Sequence, residues 1–279
     1  IDVDPMVGLH IGRAFAIAEQ YEAVVSHLTD LIAHSRRVGA RASLAMAFGA
    51  LGEAHVRASR FDQALACLDE ALALSLATGQ RAFAPFWLSL RARISAIRGD
   101  DLAAADDLEL GFGISDEQST FGARYFLLAN AGLAALVSGR HGDAVENLAE
   151  CWAFEQASGL LAPQLARWHA DLVEAYVVLG RAQEGDAVLA HLLRVAATPG
   201  ASRWTTATAR RAEAIRLAGR DPAAALVKLD EALARYHPEE DLFDRARAML
   251  DKAELLDTHD ERGTELAAEF KKVLADAQY

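Results

Sequence analysis

Four breaks recur down the chain at an almost fixed interval. Gly99-Asp100, Gly139-Arg140, Gly180-Arg181 and Gly219-Arg220 are separated by 40, 41 and 39 residues. Ser59-Arg60 and Glu19-Gln20 continue the series backward, and the polar stretch "DTHDERG" near residues 258–259 continues it forward. A period between about 20 and 50 residues marks stacked units, because one unit cannot bury its apolar face alone and must pack on the next. This regularity excludes most folds before any other feature is considered.

Each period holds two amphipathic runs. Leu65, Leu68, Leu72 and Leu76 form a stripe at spacings of three and four, as do Leu226, Leu229 and Leu233, which is helical periodicity. The expected helices of the fifth period lie at 161–179 and 182–196. "TGQ" at 78–80, "SGLLAP" at 158–163, "TPG" at 198–200 and "HPEED" at 237–241 are helix-ending signals between the pairs. Small residues fall at matching places: Ala64, Ala104, Ala144, Gly185 and Ala224 five after each break, and Gly52, Ala92, Gly132, Val173 and Ala212 about seven before it. Such positions let paired helices approach closely where they cross. The pattern predicts an all-α fold: an α-solenoid of about seven antiparallel helix pairs, superhelical, in a single domain over 1–279. The pairs fall near 5–38, 40–78, 81–111, 120–158, 162–197, 202–236 and 239–277. "GFGISDEQST" at 111–120, with two glycines and no stripe, is expected to be a longer loop.

Charge and motifs restrict the function. Forty acidic against 28 basic side chains give a net charge of −12, which repels phosphate backbones, so no direct nucleic acid contact is expected. "YFLLANAGLAALVSG" at 125–139 is shorter than the roughly 20 apolar residues a membrane span needs and reads as a buried helix. No basic-then-apolar leader opens the chain. Cys67 and Cys151 lie inside helical patterns and read as free thiols in a reducing compartment, so a cytoplasmic location is expected. A first residue of Ile1, not Met, suggests a piece cut from a longer protein, and the preference for Arg over Lys hints at a high-GC bacterial genome.

Phosphate-cradling glycine loops, paired Cys-x-x-Cys, His-Glu-x-x-His and the nucleophile elbow are all missing from the sequence. His27 and His34 could share a helix face, but two ligands do not make a zinc site. The acidic stretch "GDDLAAADDLE" at 99–109 lacks the calcium-loop spacing and suits a helix N-terminus. No catalytic residue, metal or cofactor is therefore expected.

A binding groove is the remaining candidate, since first helices of stacked pairs line one wall. Residues thirteen, nine and six before each break share a face: Phe86, Leu90, Arg93; Phe126, Asn130, Leu133; Arg167, Asp171, Glu174; Thr206, Arg210, Glu213. The charges on the later pairs imply solvent along this face, and Phe86 and Phe126 are candidate anchors for a ligand or partner. Trp87, Trp168 and Trp204 are expected in the core. The candidate groove residues are thus Phe86, Arg93, Phe126, Asn130, Arg167, Asp171, Glu174, Arg210 and Glu213.

The two-helix period, the small crossing residues and the Gly-Arg or Gly-Asp turn resemble the tetratricopeptide class, with a period longer than the usual 34 or so residues. "SRFDQALACLDEALALSLATGQ" at 59–80 and "GRHGDAVENLAECWAFEQASG" at 139–159 carry the likeness. More narrowly, "HADLVEAYVVLGRAQEGDAVLAHLLRVA" at 169–196, "ARRAEAIRLAGRDPAAALVKLDEALARY" at 209–236 and "DLFDRARAMLDKAELL" at 241–256 resemble the helical region of large ATP-binding LuxR-type transcriptional regulators, the maltose-activator class. Leu242 stands where proline is more usual in that class. The resemblance implies a sensor region that binds a small-molecule inducer or a regulatory protein and couples it to an NTPase and a helix-turn-helix. A free-standing scaffold that holds a peptide or helix of a partner protein is the alternative, and a homo-oligomer is compatible with both.

Overall fold

The computed structural model describes residues 5–119, 121–160 and 162–257. Among these the chain is all-helical and strands are absent. The helices are α1 (Pro5–Ile17), α2 (Tyr21–Arg37), α3 (Arg41–Arg57), α4 (Phe61–Ala77), α5 (Ala84–Ile97), α6 (Asp101–Gln118), α7 (Phe121–Val137), α8 (His141–Ser158), α9 (His169–Val178), α10 (Asp186–Ala196), α11 (Arg203–Leu217), α12 (Pro222–Leu233) and α13 (Leu242–Asp257). Short 3-10 turns, Arg81–Phe83 and Ala182–Gly185, lead into α5 and α10. The chain forms two compact units, Ile1–Ala134 and Ala135–Tyr279.

The helices are metered by their ends. Left-handed backbone recurs at Glu19, Gly39, Ser59, Gly79, Gly99, Ser119, Gly139, Gly159, Gly180 and Gly200, every 20 or 21 residues. After most of these residues the next N–H reaches back five positions: Gln20 to Phe15 O (2.9 Å), Ala40 to Ser35 O (2.9 Å), Arg60 to His55 O (2.8 Å), Gln80 to Ser75 O (2.8 Å) and Arg181 to Tyr176 O (2.8 Å). That bond satisfies a terminal helix carbonyl and requires positive φ in the residue before it. The turn within a pair and the turn between pairs are therefore the same device. The 40-residue period is two 20-residue steps.

Packing follows chain order within each unit. In the first, α1 meets α2, α2 meets α3, and the odd helices also meet directly, α1 with α3 and α3 with α5. In the second, α9, α11 and α13 do the same. This is a helical-repeat architecture. Side chains about one repeat apart tie equivalent helices together: Arg93 to Asn130 (3.4 Å), Trp204 Nε1 to Asp244 (2.7 Å), Arg203 to Glu240 (2.9 Å) and, in ion-pair contact, Arg60 to Glu22, while Arg98 at the end of α5 reaches Asp62 at the start of α4 (2.6 Å). Trp87, Trp168 and Trp204 are all buried, as the sequence implies.

Four expectations are corrected or reach beyond the described residues. Residues 111–118 are not a loop: α6 runs through them to Ser119, since its length is set by the 20-residue step. Gly111 there serves contact, because a Cβ would stand 2.6 Å from Leu127 Cδ2. The first helix of the fifth pair, expected from 161, begins at His169, and residue 161 itself lies outside the described residues. Residues 162–168 are turns, with Leu165 N bonded to Ala162 O and Arg167 N to Pro163 O, and Arg167 in left-handed backbone halts them. Gly219 keeps φ outside the left-handed region, and Asp221 instead caps α12 by accepting from Ala224 N (3.0 Å). The second half of the seventh expected pair lies beyond residue 257, outside the described residues.

Asp241, just before α13, yields a pH prediction. Its side chain is fully buried, and Oδ2 accepts from His237 N (2.8 Å) and faces Arg203 (3.3 Å). Burial pushes the carboxyl up to about 6 from its ordinary 3.8, with Arg167 and Arg203 pulling it back. The folded value lies above the unfolded one, so ionised Asp241 costs stability above pH 6. The cost disappears as pH falls toward 3.8, about 3 kcal/mol over the window and about 1 kcal/mol by pH 5. The wild type should therefore gain stability in urea unfolding between pH 7.5 and 5, and Asp241→Asn should lose that gain. An identical pH dependence in both proteins would refute it.

Candidate functional site

The first unit carries an open cleft of about 440 Å³ on the side of its odd-numbered helices. α1 supplies Arg13, α3 supplies Met46, Ala50 and Glu53, the 3-10 turn and α5 supply Phe83, Phe86 and Trp87, and α7 supplies Ala123 and Phe126. One repeat therefore brings an aromatic or apolar side chain where its neighbour does too. Phe86 and Phe126, one repeat apart, meet edge to face with centroids 4.7 Å apart, and Phe83 stacks on Trp87 at 6.2 Å. Phe83 is 45 % exposed, so this aromatic ring is open to water.

The polar end of the cleft holds a buried carboxylate, Glu53, and a partly exposed guanidinium, Arg13. Glu53 is buried and receives Arg57 through Nε (3.0 Å) and Nη2 (2.8 Å). Arg13 lies 3.6 Å from the same carboxylate, with its guanidinium 5.7 Å from the Phe86 ring centre and 39 % of its side chain exposed. Arg57 and Arg13 both meet the Glu53 carboxylate, and Arg13 is the more exposed of the two guanidiniums. The wall is otherwise apolar. Such a site can take an aryl or alkyl body and meet an anionic group at Arg13.

The other sequence-derived groove residues go elsewhere. Arg93 and Asn130 are buried beside one another, and Asn130 donates to Ser89 Oγ (3.2 Å) and to Phe126 O (3.1 Å). Arg167 lies ahead of α9 with its guanidinium 4.7 Å over the Trp204 ring. Asp171 is buried and Glu174 keeps 23 % of its side chain exposed, but both are engaged by guanidiniums and do not line an open charged face. Asp171 takes Arg247 Nη1 at 2.6 Å, and Glu174 takes both Arg247 Nη2 and Arg211 Nη2 at 2.7 Å. Arg211 also forks onto Asp251, Nε to Oδ2 at 2.7 Å and Nη2 to Oδ1 at 3.3 Å. The chain Asp171–Arg247–Glu174–Arg211–Asp251 thus alternates in sign across α9, α11 and α13. Burial works against the charge on Glu174, but the guanidiniums of Arg247 and Arg211 outweigh it and hold the carboxyl at about 2. Burial pushes Asp251 the other way, above its ordinary range, with Arg211 opposing and Glu174 adding to the rise. Arg210 pairs with Glu213 (2.9 Å) and Glu231 (3.0 Å), and Glu213 also meets Lys228 (3.5 Å).

A second grouping of reactive side chains, not foreseen from the sequence, sits in the second unit. Glu155 from the last turn of α8, His169 at the start of α9 and His191 in α10 are all buried. One ligand atom from each falls within 4.8 Å of the others. His169 Nε2 is 2.8 Å from Glu155 Oε2, and the two imidazoles lie nearly parallel with centroids 5.6 Å apart. Trp168 stacks on His169 at 3.9 Å and Trp152 stands edge-on to His191 at 5.4 Å. His27, by contrast, is engaged with Gly8 O at 2.7 Å. The ligand spacings of 14 and 22 residues follow no local motif, so only the folded helices reveal the trio.

Both thiols are quiet. Burial raises Cys67 to about 11 and raises Cys151 further, with Glu155 and Glu150 adding to it, so neither is a thiolate near neutrality. Among the described residues no helix is long and apolar enough to cross a membrane. The chain matches no known family model and no curated protein.

Proposed function

We propose that the chain is a non-catalytic sensor segment of a bacterial signal-transducing regulator, and that the aromatic cleft of the first unit receives its inducer. The cleft carries the reading: its volume lies in the 300 to 1,000 Å³ range of small-molecule sites, and its lining combines Phe83, Phe86, Trp87 and Phe126 with a half-exposed cation, Arg13. The matching ligand is a small amphipathic anion, with an aromatic or alkyl body against the phenylalanines and its charge at Arg13. A scaffold for an extended peptide draws less support from a site with one recess and one charge.

The mechanism follows from where the lining originates. Four odd-numbered helices contribute to the cleft, and three of them, α1, α3 and α5, pack on one another in order. A ligand that fits one spacing of these helices better than another shifts the population toward it, by as much as its affinity differs between the two. In a regulator that shift is what an attached NTPase or DNA-binding module would read.

The test uses 1-anilinonaphthalene-8-sulfonate, an aryl anion, on the folded chain, with N-phenyl-1-naphthylamine as its uncharged counterpart. Phe126→Ala should weaken both probes about tenfold, equivalent to about 1.4 kcal/mol. Arg13→Met should weaken only the sulfonate. Binding of both probes unaltered by Phe126→Ala, with helicity preserved, would remove the cleft as the site. Sequence flanking this segment tests the regulator: a P-loop module before it and a helix-turn-helix after it agree, and neither module would leave a free-standing binding protein.

A further inference from the structure

The geometry points to a binding site for one divalent transition-metal ion, zinc or a chemically similar cation, held by Glu155, His169 and His191. The starting observation is an unexplained cost. Glu155 and His169 account for one another through their 2.8 Å contact, but His191 Nε2 is buried and has no hydrogen-bond partner among the described residues, and neither has His169 Nδ1. A buried polar atom left without a partner is costly, because it has given up water and gained nothing in return. The orphaned His191 nitrogen needs a reason, and a cation that accepts its lone pair and is shared with Glu155 and the His169 nitrogen facing it supplies one.

The donor set selects the ion. Two imidazoles and one carboxylate match the nitrogen- and oxygen-rich preference of zinc, cobalt and nickel, whereas calcium and magnesium want oxygen alone. With zinc bonds near 2.0 to 2.1 Å, ligand atoms in a tetrahedral site stand roughly 3.4 Å apart. The trio needs to contract from 4.8 Å or less, a shift of about 1 Å that small side-chain rotations provide. The carboxylate offsets half of the ion's charge. Arg194, whose Nη2 is 3.5 Å from His191 Nδ1, opposes binding from that side, but it is exposed and free to swing into water. Trp152 and Trp168 wall the site with aromatic surface, which excludes competing water and strengthens the bonds within.

Three helices supply one ligand each, so the ion acts as a clamp. The chain bends sharply between α8 and α9 through the turns at 162–168, where no helix holds it. A metal joining Glu155 before that bend to His169 after it, and both to α10, fixes the register of the three. Water completes the coordination, because three protein donors leave one position of a tetrahedron open.

The experiment takes the chain stripped of metal with a chelator and titrates zinc against a chromogenic competitor, following thermal melting in parallel. One saturable equivalent per chain is expected, with a rise in melting temperature, because an ion that binds the folded state alone stabilises it by mass action. Cobalt in place of zinc should give visible d–d bands without a thiolate charge-transfer band. Glu155→Gln keeps the size of the side chain and a hydrogen bond to His169, so it preserves the fold. It should weaken zinc at least about 100-fold, the upper end of what an outer-sphere partner contributes. His191→Ala should do the same, and His27→Ala should change nothing. Absence of a saturable equivalent in the wild type, or affinity unchanged by both Glu155→Gln and His191→Ala, overturns the assignment.

Discussion

Arg211→Ala should be the most damaging single substitution in the second unit, lowering unfolding free energy at pH 7 by about 3 to 5 kcal/mol. Arg211 is 2 % exposed, forks onto Asp251 and shares Glu174 with Arg247. Truncating it leaves Asp251 and part of the charge on Glu174 uncompensated where water reaches poorly, which is the costly way to break such a network. Arg211→Lys should not rescue it, because a single ammonium cannot fork onto Asp251 and also reach Glu174. Removing charge in balance is different. Arg211→Met combined with Asp251→Leu leaves Glu174 with Arg247 and should recover at least half of the loss.

The same network has an acid signature of known sign. Glu174 is held at about 2 in the fold against an ordinary 4.5, so its contribution is complete above pH 4.5 and is lost as pH falls through 2. The gap between wild type and Arg211→Ala should therefore narrow below pH 4.5. A loss under about 1 kcal/mol at pH 7, the value of an exposed pair, would mean that water screens these charges after all.

What the sequence could convey depends on whether a signal is local. The breaks at Gly99, Gly139 and Gly180 are visible because glycine adopts positive φ without strain. Glu19, Ser59 and Ser119 take the same conformation with no such residue, and only their place in the 20-residue series marks them. Glycine also misleads. In "GFGISDEQST" the two glycines suggest a loop, yet Gly111 is there because Leu127 packs on its Cα face and Gly113 simply tolerates a helix. At 162–168 the prolyl start of a helix and the prolyl turn look alike, and the outcome is decided by Arg167 against Trp204, 37 residues on.

The candidate sites divide in the same way. Phe86 and Phe126 can be aligned by counting from the breaks, and the structure brings their rings together. Arg13 and Glu53 fall six residues before Glu19 and Ser59, the same register as Arg93 before Gly99, but the signal is fainter there because those two breaks lack glycine. The charge on Asp171 and Glu174 reads as an exposed face, since a periodic pattern shows which side of a helix is polar and not what covers it. Their partners Arg211 and Arg247 stand 37 to 76 residues away. Glu155, His169 and His191 come from three helices of unrelated phase, which no spacing rule can anticipate.

Gly49→Ala should connect packing to the proposed site. Gly49 lies in α3 where α5 crosses it, and a Cβ added there would stand 1.9 Å from Trp87 Nε1 and 2.4 Å from Cε2. Those distances are far inside van der Waals contact, and Trp87 is 2 % exposed, so the indole must move bodily. Overpacking of this kind costs about 1 to 3 kcal/mol and at times more, against a gain of about 1 kcal/mol from replacing glycine in a helix interior. We expect a net loss of about 2 kcal/mol in unfolding free energy, where Gly113→Ala, with open space around its Cβ, should gain up to about 1 kcal/mol. The displaced indole already borders the cleft, which it lines beside Phe83. Gly49→Ala should therefore weaken the arylsulfonate and the neutral aryl amine alike, unlike Arg13→Met. Trp87→Phe in the Gly49→Ala background should restore stability in part, since the smaller ring makes room for the methyl, and the two substitutions together should cost less than their separate effects combined. If Gly49→Ala proves as harmless as Gly113→Ala, α3 and α5 are not held apart by this indole, and the spacing on which the cleft depends has another origin.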